Sequence, residues 1–324
     1  MPQINGQEVG PTGFGLMGLT WRHTPPSQEQ AFETLRASLK NGMNFWNGGE
    51  IYGTPEYNSL VLLEQYFEKY PEDADKVVLS IKGASGAHGP DGSPENVRRS
   101  IDNCLKLLKG RKKLDIFECA RRDPKVPLEV TFAVIQEYID KGLVGGISLS
   151  EVKASTIHEA VKLAKIVAVE VELSLFSPDV LTNGVAAACA EHNIPLVGYS
   201  PIGRGMLTGR FKTFEDLPAE LSHFPRFTRE NFENNVQLAR QIDVLAEKKG
   251  CTPAQLAISW TRNVAKRPGM PVIIPIPGAT TAARVDENAR YVDITDAEMA
   301  EIEATLAKFE VKGPRYPANI PMDG

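Results

Sequence analysis

The sequence predicts an α/β fold of one kind, a (β/α)8 or TIM barrel, in which eight parallel strands close into a cylinder surrounded by helices. Three observations predict this fold. Short runs of β-type residues alternate with longer segments of helical period, the alternation persists without a linker, and eight strand runs occur in the 324 residues. We therefore expect a single domain over residues 1–324.

The predicted strands are short and mostly apolar. In chain order they occupy residues 13–19, 43–47, 76–83, 114–120, 143–150, 168–176, 194–200 and 272–278. Helical segments lie between them, including residues 27–42, 93–110, 127–142 and 153–166. Several of these segments end in Lys-Gly or Lys-Asn-Gly, where the cation suits the negative end of the helix dipole and the glycine tolerates a left-handed cap.

A doubly wound open sheet is the main competing fold. Residues 13–18, Gly-Phe-Gly-Leu-Met-Gly, have the spacing of the G-x-G-x-x-G turn that binds dinucleotides in such sheets. That turn needs a helix to begin at once, so that the helix N-terminus faces the phosphates, but Pro25 and Pro26 follow instead. We interpret the match as accidental and prefer the barrel.

One connection is much longer than the others. After the seventh strand, residues 203–235 run through a polar and irregular stretch before a helical pattern resumes near residue 235. Loops of this length are usually lids or disordered segments. Barrel enzymes build their sites from loops at the carboxyl ends of the strands, so we expect a lid over a ligand here.

Composition narrows the functional class. The net charge of −5 and the pI near 5.7 give no basic surface of the kind that binds nucleic acid. The four cysteines are far apart and form no metal-binding pattern, so reduced thiols and no metal site are expected. No leader-like or membrane-spanning stretch is present. The sequence predicts a soluble cytoplasmic protein, a monomer or weak oligomer, with a small-molecule ligand.

Candidate chemistry lies where three predicted strands end. Residues two apart in a strand share a face, so Asn47, Lys82 and Ala120 all reach the mouth of the barrel if their faces are lumenal. The turn that carries Tyr52 lies beside them. Lys82 is either a surface cation or a buried functional one. A tyrosine beside such a cation is a candidate general acid, because the cation lowers the phenol pKa from its ordinary value of about 10.

Several segments, in the same order along nearly the whole chain, resemble the aldo-keto reductases, which are NADPH-dependent (β/α)8 enzymes. The segments are GFGLMGLTW, FWNGGEIYG, VVLSIKGA, DIFECARRD, GISLSE, EVELSLFS, GYSPIGRGMLTGR and IPIPGATTAARVDEN. Within the family, Trp-Asn-x-Gly-Glu, Cys-Ala-Arg and Leu-Ser-Glu are most similar to the fungal pyridoxal reductases. The resemblance implies a barrel that reduces a carbonyl with NADPH.

The family's catalytic tetrad of Asp, Tyr, Lys and His is only half present. The resemblance places Tyr52 at the proton donor and Lys82 at the lysine, but Asn47 stands at the Asp position and Ala120 at the His position. We expect Asn47 to orient Lys82 by accepting its hydrogen bond. Because Asn47 supplies no counter-charge, Lys82 should lose its proton more readily or lower the pKa of Tyr52 further. An absent imidazole removes an oxyanion donor worth about 3 kcal/mol.

The cofactor residues are also implied by the resemblance. Ser150, Glu151 and Glu170 fall where the family holds the nicotinamide amide, and Tyr199 falls where an aromatic ring stacks on the nicotinamide. Arg284 is the cation expected to bind a 2′-phosphate, which favours NADPH over NADH. Further cofactor contacts are expected from Gly15, Leu16, Met17, Ser200, Pro201, Ile202, Gly203, Arg210, Gly278, Thr280, Glu287 and Asn288.

The substrate that the resemblance implies is an aromatic aldehyde such as pyridoxal, whose ring hydroxyl can bond its own carbonyl where a histidine is missing. Trp21, Trp46, Ala120 and Arg121 are expected to line the substrate pocket. An NADPH-binding regulatory module with little turnover is the alternative. A Schiff-base aldolase built on Lys82 is a further alternative, although it would not need the adenosine-binding residues.

Overall fold

The structure, a computed structural model, describes residues 1–318 and residue 320; the remaining residues of the predicted domain lie outside this range. In the described residues, eight parallel strands pair in chain order. Hydrogen bonds from Gly13 and Gly15 to the carbonyls of Pro275 and Pro277, at 2.9 and 3.2 Å, close the sheet. The strands are β1 Phe14–Gly15, β2 Phe45–Gly49, β3 Val78–Gly83, β4 Ile116–Cys119, β5 Ile147–Ser150, β6 Ile166–Glu172, β7 Leu196–Tyr199 and β8 Ile273–Ile276.

The predicted barrel is confirmed, and its helices surround the strands. They are α1 Gln28–Lys40, α2 Ser59–Lys69, α3 Pro94–Leu108, α4 Leu128–Asp140, α5 Ala154–Ala160, α6 Val185–Glu191, α7 Arg229–Lys249, α8 Pro253–Val264, α9 Ala282–Ala289 and α10 Asp296–Ala307. Several predicted boundaries are wrong. The strand expected over 13–19 gives way to a single helical turn at Met17–Thr20, and the helix expected over 153–166 ends at Ala160.

Side chains alternate between two apolar cores. On β2, Phe45 points into the lumen and Trp46 into the layer between strands and helices. The lumenal core also contains Ile4 and Val9, which come from the N-terminal hairpin and close the floor of the barrel. The other lumenal members are Val78, Ile116, Val167, Ala168, Val197, Ile274 and Ile276. The polar residues on the lumenal faces of the strands therefore lie above this apolar floor, at the carboxyl end of the barrel.

Local sequence signals start and stop the helices. Asn58 caps α2 by accepting hydrogen bonds from two backbone N–H groups of its first turn. Thr252 and Gln255 form a capping box at the start of α8, with Pro253 at the first helical position. Gly250 ends α7 in the left-handed conformation. These caps fix where each helix enters the outer layer.

The long connection after β7 is ordered as a series of short 3-10 turns between Gly203 and Phe227. Helix α7 then begins at Arg229, earlier than predicted. Asn235 of α7 holds the last part of the chain, because its amide bonds both the N–H and the C=O of Lys312 at 2.8 and 2.9 Å. Residues 308–318, here called the C-terminal strap, consequently return across the mouth.

Candidate active site

Four polar side chains form a buried cluster in the upper lumen: Asn47 of β2, Lys82 of β3, Glu118 of β4 and Glu170 of β6. Each is at most 4% exposed. The period of two places these residues on the lumenal faces of their strands, above the apolar floor, and Lys82 pairs in register with Glu118. Lys82 is therefore a buried lysine and not a surface cation.

Two carboxylates share the single ammonium of this cluster. Lys82 Nζ lies 2.6 Å from Glu118 Oε1 and 2.5 Å from Glu170 Oε1. The Asn47 amide donates to the same two groups, at 2.5 Å to Glu170 Oε2 and 3.3 Å to Glu118 Oε1. Ser148 donates to Glu118 Oε2 at 3.0 Å. The expected bond from Lys82 to Asn47 is thus replaced by contacts through both glutamates.

The two glutamates affect the pKa of Lys82 in the opposite direction from the one expected. Burial alone would lower the pKa of Lys82, but Glu118 and Glu170 outweigh burial and hold it well above its usual range. The prediction that Lys82 loses its proton more readily is therefore wrong, because the counter-charge absent at residue 47 is supplied by the two glutamates. Burial, followed by the charge of Glu118, raises the pKa of Glu170 to about 8, against the opposing effect of Lys82.

Tyr52 lies in the turn after β2, beside the cluster. Its ring stacks on the half-exposed Trp21, with centroids 5.4 Å apart and an interplanar angle of 27°. Burial raises the pKa of Tyr52 to about 12; the charge of Lys82 acts in the expected downward direction but is outweighed. The hydroxyl is therefore a protonated group at neutral pH, with a cation near enough to stabilise its phenolate.

The stretch around Tyr52 is anchored from the helix layer. Glu50 accepts hydrogen bonds from Ser100 at 2.5 Å and Asn103 at 2.8 Å, both on α3. Trp46 is completely buried and donates to Ser38 Oγ at 2.9 Å. The expectation that Trp46 walls a substrate pocket is therefore wrong, since its position on the outward face of β2 places it in the outer core.

The C-terminal strap contributes two side chains to the mouth. Arg315 pairs with Glu151 at 2.8 Å and with Glu172 at 3.4 Å. Tyr316 Oη lies 2.7 Å from Tyr199 Oη, so one hydroxyl donates to the other. Neither strap residue was predicted from the sequence. Glu151 and Glu172 were the signal that could have pointed to Arg315, because a buried carboxylate needs a cation beside it.

The predicted substrate residues make contacts at two places. Ala120 follows β4 and is 9% exposed. The Arg121 guanidinium donates to the Ala120 carbonyl at 2.6 Å and lies over the Tyr316 ring, 5.3 Å from its centroid. The structure therefore links Arg121 to the strap through Tyr316, and Trp21 to Tyr52 through ring stacking.

Groups suited to a nicotinamide lie at the ends of β5 and β7. Ser150 Oγ is buried without a hydrogen-bond partner among the described residues. Glu151 and Ser200 both have left-handed backbones, with φ of 53° and 51°. Such strain is typical of binding sites. Glu151 is engaged by Arg315, and Glu170 by Lys82, so neither carboxylate is free in this conformation.

Groups suited to phosphates lie on the other side of the mouth. Burial, followed by the charge of Arg210, lowers the pKa of Arg284, and the charge of Glu287 acts in the opposite direction. Neither guanidinium forms an ion pair with a carboxylate of a described residue. Both are therefore suited to binding a phosphate.

The remaining predicted cofactor residues lie in four segments of the chain. Gly278 follows β8 and bridges to Gly15 of β1, and the Thr280 carbonyl accepts from Gln30 at 2.6 Å. Leu16 is completely buried in the outer core, so its side chain offers no binding surface. The others lie along the predicted segments: Met17 in the helical turn, Pro201, Ile202 and Gly203 after β7, and Glu287 and Asn288 on α9.

Two histidines that are far apart in the sequence lie together. His158 Nδ1 is 2.9 Å from His192 Nε2, and Glu191 is adjacent. The pair joins α5 to α6 on the outside of the barrel, away from the lumenal cluster. The cysteines are free thiols, as expected. No helix in the described part of the chain is both long and apolar enough to cross a membrane.

Comparison with known proteins identifies the family. The Aldo/keto reductase family pattern matches residues 11–307. The chain belongs to the aldo/keto reductase family. It is 42% identical to the "Probable pyridoxal reductase 2" of Schizosaccharomyces pombe, covering 98% of this chain and 97% of that one. It is 38% identical to the "Putative pyridoxal reductase" of Saccharomyces cerevisiae, covering 94% and 95%.

Solved structures show the same fold. A glycerol dehydrogenase from Gluconobacter oxydans matches with a TM-score of 0.82 at 19% identity, covering 96% of each chain. This aldo/keto reductase is therefore an oxidoreductase built on the (β/α)8 barrel, and the family as a whole uses NAD(P)H. Three charged groups at the mouth, the buried Glu118 and Glu172 and the partly exposed Arg315, were not among the predicted site residues.

Proposed function

We propose that this aldo/keto reductase reduces an aromatic aldehyde, with pyridoxal as the first candidate, to a primary alcohol with NADPH. The observation that carries the proposal is the convergence of Tyr52 and the buried Lys82 cation at the carboxyl end of the barrel. The names of two relatives at 42% and 38% identity support the choice of pyridoxal.

The chain's residues fit a phosphorylated nicotinamide cofactor. Arg210 and Arg284 provide cations for a phosphate, and the unpartnered Ser150 hydroxyl offers a donor and acceptor for the nicotinamide amide. Tyr199 would provide the stacking face once its bond to Tyr316 opens. When bound, NADPH supplies the hydride. The 2′-phosphate preference rests on Arg284.

Tyr52 is proposed as the proton donor. Its pKa of about 12 keeps the hydroxyl protonated at neutral pH, which a general acid requires. The phenolate left after proton transfer is stabilised by Lys82, whose own pKa is held high by two glutamates. Lys82 is thus a cation in the resting enzyme. The same high pKa disfavours the aldolase alternative, because a Schiff base forms only from a neutral amine.

The gap at Ala120 is proposed to select the substrate. A substituted ring can approach Tyr52 between Ala120, Trp21 and Tyr316, with Arg121 beside it. Pyridoxal's ring hydroxyl can then bond its own carbonyl where other family members use histidine. Ala120→His is expected to lower pyridoxal turnover. Higher turnover in that variant, or equal turnover of an analogue without the hydroxyl, would contradict this role.

The proton-donor role is tested by Tyr52→Phe. NADPH oxidation is followed by absorbance with pyridoxal, its phosphate, simple benzaldehydes and ketones, and cofactor binding by fluorescence. We expect turnover to fall by about 10²–10⁴-fold, with unchanged NADPH affinity. Tyr57→Phe is the matched control, because Tyr57 follows in the same loop and its hydroxyl has no hydrogen-bond partner among the described residues. Full activity in Tyr52→Phe would refute the mechanism.

The regulatory alternative is favoured by one observation, the strap that engages Glu151 and Tyr199 at the mouth. A module that binds NADPH without using it would show tight binding and negligible turnover on every carbonyl in the panel. Removal of the strap contact by Arg315→Ala would then leave turnover negligible.

A further inference from the structure

The charges buried in the lumen do not balance. One ammonium, on Lys82, faces two carboxylates, on Glu118 and Glu170, while the other donors, Asn47 and Ser148, are neutral. All are almost fully buried. An uncompensated negative charge in an almost fully buried site is costly. We expect the cluster to take up a compensating charge, and a proton is the smallest one that two carboxyl groups on the same ammonium can share.

We propose, building on the proposed function, that Glu118 and Glu170 hold one shared proton while the cofactor is reduced and release it when the cofactor is oxidised. The pair would thus be the proton store that resupplies Tyr52 through Lys82. Glu118 and Glu170 are positioning residues in this scheme, since they act on the substrate only through Lys82 and Tyr52.

The geometry favours sharing between these two groups. Their Oε1 atoms bind the same ammonium, at 2.6 and 2.5 Å, and the Asn47 amide bonds both carboxyls. Two carboxylates in one site cannot both ionise easily, so their protons belong to the pair. Consistent with this, burial and the neighbouring Glu118 raise the pKa of Glu170 to about 8.

Among the described residues, the other groups facing the pair do not supply the positive charge that the shared proton supplies. Tyr52, in the turn after β2, is neutral at physiological pH because burial raises its pKa. On β6, Glu172 is the next residue on the same face as Glu170, and it is paired with Arg315 of the strap. Lys82 is therefore the one cation in contact with the pair among the described residues.

The proton balance follows from one turnover. The hydride adds to the carbonyl carbon, and Tyr52 gives its hydroxyl proton to the carbonyl oxygen, which completes the alcohol. The phenolate takes a proton from the Lys82 ammonium, and the Lys82 amine takes the proton held by the glutamate pair. The pair gains one negative charge as the nicotinamide gains one positive charge, so the summed charge of the site stays constant.

This balance predicts a difference between the two cofactor states that requires no turnover. Calorimetric titrations with NADP⁺ and with NADPH, in buffers of different ionisation enthalpy, measure the protons released on binding. We expect NADP⁺ to release close to one proton near neutral pH and NADPH to release none. NADP⁺ affinity should then rise by up to about tenfold per pH unit below the pair's pKa, while NADPH affinity stays level.

Substitutions test whether the released proton comes from Glu118 and Glu170. Glu170→Gln and Glu118→Gln should each abolish the release and flatten the pH dependence of NADP⁺ affinity. Glu64→Gln is the matched control, because Glu64 is also a buried glutamate but is held by Arg111 in the outer layer, away from the lumen. That variant should keep the release.

Infrared spectroscopy of the cofactor-free enzyme gives an independent measurement should the variants fail to fold. The wild type should show a carboxylic-acid carbonyl band at neutral pH that disappears as the pH is raised. Absence of that band, or equal proton release with NADP⁺ and NADPH, would overturn the proposal. Failure of the proposed function looks different: the linked proton would be observed, but no aldehyde would be reduced.

Discussion

Asn47→Asp, which creates the family's usual aspartate, is expected to destabilise this protein. The new carboxylate oxygen would face Glu170 Oε2 and Glu118 Oε1, which now lie 2.5 and 3.3 Å from the Asn47 amide nitrogen. Two unit charges about 3 Å apart repel by about 5 kcal/mol at an effective dielectric constant of about 20. The folded chain can avoid this repulsion only by binding an additional proton.

The cost of binding that proton sets the size of the stability loss and its dependence on pH. Keeping an aspartic acid of ordinary pKa about 3.9 protonated costs about 4 kcal/mol at pH 7 and about 1.5 kcal/mol at pH 5. Because the pKa of the added carboxyl is raised in the folded state, the native protein binds more protons than the unfolded chain. The loss of stability therefore grows as the pH rises above the ordinary aspartate pKa.

Urea unfolding at pH 5 and pH 7, followed by tryptophan fluorescence, measures both values. Asn58→Asp is the matched control: Asn58 is equally buried, at 3% exposed, but its side-chain oxygen caps α2, a role that aspartate performs equally well. The double variant Asn47→Asp with Glu170→Gln should recover most of the stability. A stable Asn47→Asp protein at pH 7, or the same loss at both pH values, would refute the reasoning.

Three further predictions concern the mouth and the thiols. Arg284→Ala should raise the dissociation constant for NADPH by about 10- to 100-fold and leave that for NADH unchanged, measured by fluorescence titration; equal effects on both would contradict a 2′-phosphate contact. Arg315→Ala should cost about 2 kcal/mol in urea unfolding, less than a fully buried ion pair because Arg315 is 24% exposed. Arg315 lowers the pKa of Glu151, so that loss is present above an ordinary carboxyl pKa and should shrink as the pH falls; a constant loss would exclude an ionic origin. Burial raises the pKa of Cys119 and Cys189 to about 12, so neither should react with Ellman's reagent at pH 8 until urea unfolds the chain.

The barrel could be predicted because its signals are local. The alternation of strand and helix, and the period of two within strands, are written in short stretches such as residues 43–47 and 76–83. The same parity correctly placed Asn47 and Lys82 on lumenal faces, where both contact the same two glutamates. Trp46 was misplaced because its parity, opposite to that of Asn47, was not applied to it.

The charge cluster could not be derived in the same way. The ion pairs of Lys82 join residues on three strands, and the sequence does not show which lumenal residues lie at equal height in a tilted barrel. Glu118 nevertheless gave a signal, as a carboxylate within the apolar run Ile116–Cys119 on the lumenal parity. The position of Arg315 had no such local signal, because the strap has no regular structure.

The buried cluster has an evolutionary consequence. A single nucleotide change converts Asn47 to aspartate, yet Glu118 and Glu170 make that step costly while both remain. A lineage could acquire the aspartate only after one of the glutamates had become neutral, and a lineage that lost a glutamate first would leave Lys82 with fewer anions. Residues 47, 118 and 170 are therefore expected to change together among homologues, in an order that the sign of each charge dictates.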